Sequence, residues 1–276
     1  MNDALAIPRR ERNEIPSERK SPLRTGSLIV FEGVDGVGKT TLAEKVANLL
    51  TPQIRYVSRR QAAAISSDSG RLMESLAGVL WRSGVGVEMP LQFWVHLQAA
   101  WFAAHREKLI RPLCEEGCNV LVDGWIFKHM AGLLLQGYDM PTLRTIFEDR
   151  YPPDHVVLLR RSPELLQGLR DSPSAFELGL QARRMTASET SSHDIRTQVG
   201  DHLDAFARQL GWTVFDIRSD ESPHASAERL ALVVQDLIGR EAPAPSSDEI
   251  GGRSSGRRGG PRSPTWGPRW PSPGRP

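Results

Sequence analysis

Short runs of β-branched and Leu-rich residues recur along this chain: Leu28 to Phe31, Ile54 to Ser58, Asn119 to Asp123, His155 to Leu159 and Thr213 to Ile217. Each run is apolar nearly throughout instead of alternating, which suits a strand covered on both faces. Helical spacing fills the intervals, over Lys39 to Leu50, Gly70 to Trp81, Met89 to Glu116, Ile126 to Gln136, Pro141 to Asp149, Ser162 to Arg170, Asp194 to Leu210 and Pro223 to Arg240. This order predicts an α/β fold in three layers, a five-stranded parallel sheet with helices on both faces. Crossovers between such strands are right-handed, and ligands bind beyond the strands' carboxyl ends.

The two ends of the chain lack this pattern. From Glu241 onward Pro, Gly, Ser and Arg dominate, and residues 1–26 alternate charge with Pro, so neither segment offers enough apolar area to offset its ordering entropy. The expected organisation is a disordered N-terminal extension (1–26), one domain (27–240) and a disordered tail (241–276). Composition agrees with one sizeable domain, 39% apolar and 25% charged over 276 residues. The net charge of +2 resides in the ends: six basic against four acidic residues up to Gly26, and six against three from Glu241, leave the middle at −3.

A mildly acidic body makes no strong case for nucleic acid, although it permits a local pocket for one or two phosphates. The Arg side chains of the tail, with Trp266 and Trp270, could touch RNA, but solvation is the simpler reading. No run approaches the roughly 18 apolar residues of a membrane helix, so the expectation is a cytoplasmic protein without a membrane partner. Cys114 and Cys118 have no nearby ligand to complete a zinc set and read as plain thiols.

Directly after the first strand comes Gly33-Val34-Asp35-Gly36-Val37-Gly38-Lys39-Thr40, which fills every fixed position of G-x-x-x-x-G-K-[ST], with Thr41 next and helical spacing following. Glycines let the backbone curl so that successive N–H groups point inward, and the helix adds its positive end at the same spot. A triphosphate fits there, with Lys39 on its β- and γ-phosphates and the Thr40 hydroxyl on Mg²⁺. The expected fold is therefore that of a P-loop NTPase, with ATP and Mg²⁺ as cofactors. A carboxylate should stand near that metal, and Asp123 ends the third apolar run.

The segment Leu28-Ile-Val-Phe-Glu-Gly-Val-Asp-Gly-Val-Gly-Lys-Thr-Thr-Leu42 resembles the opening of thymidylate kinases, F-E-G-x-D-G-x-G-K-T-T. Leu109-Ile-Arg-Pro-Leu-Cys-Glu-Glu-Gly117, running on to Asp123, is similar to the family's I-R-P-x-L-x-x-G helix end and the strand carrying its D-R-Y element. Pro153-Asp154-His-Val-Val-Leu-Leu159 and Ser162-Pro163-Glu164 resemble its fourth strand and the helix before its lid. The resemblance implies transfer of the ATP γ-phosphoryl group to a nucleoside monophosphate, by default dTMP, with a mobile lid about 171–192 and a homodimer through helices. It also implies that Asp35 lies toward the acceptor sugar or the metal. Arg59 or Arg60 stands where the family has the Arg of R-E-P-G-G-T, and His105 falls at the His of R-x-x-H.

The departures fall on cations. Phe102 replaces the Arg of R-x-x-H; Asp123-Gly124-Trp125 replaces D-R-Y; Ser174-Ala175-Phe176-Glu177 replaces the lid's D-R-F-E. Losing such an Arg can cost several powers of ten in rate, so other cations should substitute or activity should be weak. Arg106, Arg111, Arg170, Arg183 and Arg184 are the candidates, the last three for catalysis at the lid alongside Lys39 and Asp123. Phe93, Trp94, Trp101 and Phe102 spread over a broad helical stripe and read mostly as core. Phe102 beside Trp125 nevertheless predicts a bulkier, more apolar acceptor pocket, open to a modified nucleotide, a nucleoside or another hydroxyl acceptor.

Overall fold

The computed structural model describes residues 26–62, 68–82, 89–147, 152–162 and 192–239. The tail, the extension before Gly26, most of the helix expected over Ser162 to Arg170, and the lid up to residue 191 lie outside the described residues, and so do Arg170, Arg183 and Arg184.

The strands are β1 (Leu28–Glu32), β2 (Ile54–Val57), β3 (Asn119–Val122), β4 (His155–Arg161) and β5 (Thr213–Ile217). They form one parallel sheet in the order β2-β3-β1-β4-β5. Between them lie α1 (Lys39–Leu49), α2 (Asp68–Arg82), α3 (Leu91–His105), α4 (Arg111–Glu115), α5 (Ile126–Leu135), α6 (Met140–Phe147), α7 (Ser192–Leu210) and α8 (Pro223–Gly239). Successive strand residues point to opposite faces, and both faces are apolar. Leu28, Val30, Val120, Val122, Val156 and Leu158 meet α2, α3, α5 and α7 on one side, whereas Ile29, Phe31, Leu121, Val157 and Leu159 meet α1 and α8 on the other. The three layers follow from that alternation.

The long helix expected over Met89 to Glu116 is corrected in one respect. It begins at Leu91 behind Pro90, and Arg106–Ile110 forms a π-helical segment in which the Arg111 N–H donates to the Arg106 carbonyl. Pro112 supplies the cause. It has no N–H to give Lys108, and its ring crowds that carbonyl, so one widened turn relieves the clash. Cys114 and Cys118 are free thiols, and burial pushes the Cys114 thiol up to about 12. Among the described residues no helix is long and apolar enough to cross a membrane.

Candidate active site

Gly33 leaves β1 at φ +149°, where an added Cβ would stand 2.7 Å from the Leu159 carbonyl oxygen, so only glycine passes between loop and β4. Val37 is fully buried in the apolar layer of α1 and α8, which pins the middle of the loop under its apex. Gly38, at φ +106°, then turns the chain into α1. Val34 and Asp35 are half-buried, while Gly36, Thr40 and Thr41 are exposed. The Lys39 Nζ donates to the carbonyl oxygens of Gly33 and Val34, both at 2.8 Å.

Burial lowers the Lys39 ammonium from its ordinary 10.5 to about 8; Asp35 opposes that shift, and Lys128 and Arg59 add to it. A phosphate chain brought to the loop should restore the proton. Binding of Mg·ATP is therefore expected to take up almost no proton at about pH 6.5 and most of one proton at about pH 9. Calorimetry in buffers of different ionisation enthalpy reads this directly, and no uptake at the higher pH would remove Lys39 from the phosphates.

Sheet order brings the remaining parts to the same edge. β3 lies between β1 and β2, with Val122 level with Val30 and Val57, so residues just past these strands converge. The Thr40 hydroxyl donates to Asp123 Oδ2 at 2.6 Å, and the Arg59 N–H donates to Asp123 Oδ1 at 2.8 Å. A hydroxyl and a carboxylate are hard oxygen donors, and Mg²⁺ is commonly held by one or two protein groups with substrate phosphates completing its shell. Among the described residues no group of three or more His, Cys, Asp and Glu side chains stands together as a metal site. Thr40 and Asp123 fit Mg²⁺.

Arg59 is 7% exposed and lies across Gly124, where an added Cβ would stand 3.1 Å from Arg59 Cδ and 3.8 Å from Cζ. Its guanidinium carbon is 5.7 Å from the Trp81 ring, and its carbonyl accepts the Trp101 indole N–H at 2.9 Å. Arg60 is exposed, 5.2 Å above the same Trp81 ring. The other residues expected at the acceptor are enclosed. Phe102 packs edge-on to Trp125 with centroids 5.3 Å apart, and His105 stacks on Trp101 at 5.7 Å. The His105 Nε2–H donates to the Ser58 carbonyl at 3.1 Å, and burial pushes the ring down to about 4, so it is neutral at physiological pH. Phe102, His105 and Trp125 are buried and bring no charge to this edge.

Two residues at this edge escape sequence reading. Glu32, fully buried at the end of β1, accepts the Trp125 N–H at 2.8 Å through Oε1 and so fixes the turn after Asp123. Burial raises its carboxyl above the usual range, while Lys39, Arg59 and Lys128 pull the other way. An acid closing an apolar strand was the signal for it. Lys128, in the first turn of α5, has its Nζ 2.6 Å from Asp35 Oδ1, across 93 positions of sequence that no local pattern spans. Arg106 is buried beside Glu107, and Arg111 pairs with Glu107 and Glu115, so both cations are engaged on their own helix.

No family model matches the chain. It is similar to the "Probable thymidylate kinase" of Thermococcus gammatolerans, 30% identical over 136 residues that make up 49% of this chain and 65% of that one. It is similar to the thymidylate kinase of Bifidobacterium longum strain DJO10A, 31% identical over 146 residues, 51% of this chain and 69% of that one. The chain spans less than two thirds of the length of the Thermococcus relative. The crystal structure of thymidylate kinase from Ehrlichia chaffeensis has the same fold, with a TM-score of 0.51 and 17% identity over 78% of this chain and 99% of that one.

Proposed function

This chain belongs to the thymidylate kinase family, and on that premise we propose that it transfers the γ-phosphoryl group of ATP to a nucleoside monophosphate, with dTMP the first acceptor to test. The observation that carries the reading is the 2.6 Å contact between the Thr40 hydroxyl and Asp123, set beside the buried Lys39 ammonium. A hydroxyl, a carboxylate and an ammonium meeting at a Gly-rich strand-to-helix turn is the arrangement that magnesium-nucleotide chemistry requires.

The loop N–H groups and Lys39 hold and orient the phosphate chain, and Thr40 and Asp123 would hold Mg²⁺, which supplies charge neutralisation on the phosphates. Arg59 holds the acceptor phosphate, and Asp35 faces its sugar. An oxygen of the acceptor phosphate forms the new bond to the γ-phosphorus as the bond to the β-phosphate oxygen breaks, leaving ADP with the electron pair. No side chain needs to move a proton. The protein acts by positioning and by fixed positive charge.

A panel of nucleoside monophosphates and nucleosides with labelled ATP tests this. Transfer to dTMP is the expected result, and transfer only to another acceptor would reassign the site beside Arg59. Phe102 and Gly124 stand where the family has arginines, which favours a second reading, an ATP-binding chain of weak transfer. Tight Mg·ATP binding without turnover of any acceptor would establish it.

A further inference from the structure

Lys128 lies four residues beyond Gly124, on the turn of α5 nearest the loop, and its side chain is 11% exposed. Its ammonium is held by Asp35, whose carboxylate also faces Lys39. One half-exposed carboxylate thus serves two ammonium groups close enough to repel each other, and the guanidinium of Arg59 acts with both on buried Glu32 and with Lys128 on half-buried His129. The other two acids at this edge are already engaged, Asp123 by the Thr40 hydroxyl and the Arg59 backbone N–H, and Glu32 by the Trp125 N–H. Four cations, Lys39, Arg59, Arg60 and Lys128, gather here with three carboxylates, of which Glu32 and Asp123 are buried and only Asp35 is half-exposed, so a polyanion at the mouth would balance the surplus. A mere staple between loop and helix would need one cation, not several.

We propose that Lys128 is a further substrate-binding residue. Its ammonium, parked on Asp35 in the free protein, engages the phosphate oxygens between donor and acceptor and supplies charge that Phe102 and Gly124 do not. The inference rests on the kinase reading above. The only covalent bonds that change are those at the γ-phosphorus.

The test uses the full chain with Lys128→Met and Lys128→Arg. Steady-state kinetics should show kcat for Lys128→Met about 30-fold lower, with Lys128→Arg recovering most of it. A dinucleotide in which five phosphates join adenosine and thymidine should bind Lys128→Met at least tenfold more weakly by calorimetry, and the salt dependence of binding should be shallower. A staple without phosphate duty would lower the thermal midpoint and leave both readouts in place. Kinetics and dinucleotide affinity for Lys128→Met within about threefold of wild type would overturn the inference while the kinase reading stands. A wild-type chain that neither transfers phosphate nor binds the dinucleotide would overturn both.

Discussion

Replacing Lys39 by alanine is expected to lower kcat/KM for Mg·ATP by about a thousandfold or more, with the fold kept. The side chain is buried under the loop, and its Nζ donates only to loop carbonyls that a phosphate chain would displace or share. Stability should hold for a reason that follows from proton counting. Burial lowers this lysine from 10.5 to about 8, so between those values the unfolded chain binds more protons than the folded one, and stability rises with pH. Below pH 8 the charged lysine opposes folding in full. Removing it at neutral pH relieves that cost. Calorimetric melting beside steady-state kinetics checks both halves, and a variant with wild-type kcat/KM would end the phosphate role.

Gly124→Arg restores the residue that the family carries after this aspartate, yet it is expected to lower acceptor kcat/KM by about a hundredfold. A non-glycine residue at φ +123° is strained by about 1–3 kcal/mol. Its Cβ would also meet the Arg59 stem at 3.1 Å and push that guanidinium aside. The two cations compete for one place. Arg59→Ala combined with Gly124→Arg should therefore be more active than Gly124→Arg alone, a non-additivity that kinetics on the four proteins measures. A gain in dTMP transfer from Gly124→Arg by itself would show that Arg59 does not occupy the functional position.

Much of this was legible in the amino-acid order. Runs such as Val120-Leu121-Val122, apolar on both faces, could only be interior strands, and the Gly33 to Thr40 pattern carries its own geometry in its glycines. Asp123 was reachable as the carboxylate closing such a run. What local reading could not reach was any relation set by sheet adjacency. Nothing around Gly124 announces that its missing Cβ makes room for a side chain from the end of β2, because that contact depends on β2 lying beside β3. Phe102 and Trp125 show the same limit: their spacing fits core and pocket wall alike, and only the packing, with 4% and 0% exposure, shows them enclosed. An arginine at position 102 would have to be buried among Trp125 and His129, which accounts for its absence there.

The sheet order also divides the site mechanically. β1 is hydrogen-bonded to neighbours on both sides, whereas among the described residues β2 is bonded on one side only, to β3. The Gly-rich loop is thus mounted on a strand held from both sides, while Arg59 is carried by the sheet's outer rim. Drift of that rim by a fraction of an ångström would shift Arg59 first and would reach the loop only by way of Asp123, which takes both the Arg59 N–H and the Thr40 hydroxyl, so a change of preferred acceptor evolving through β2 and α2 would have to keep that one link intact.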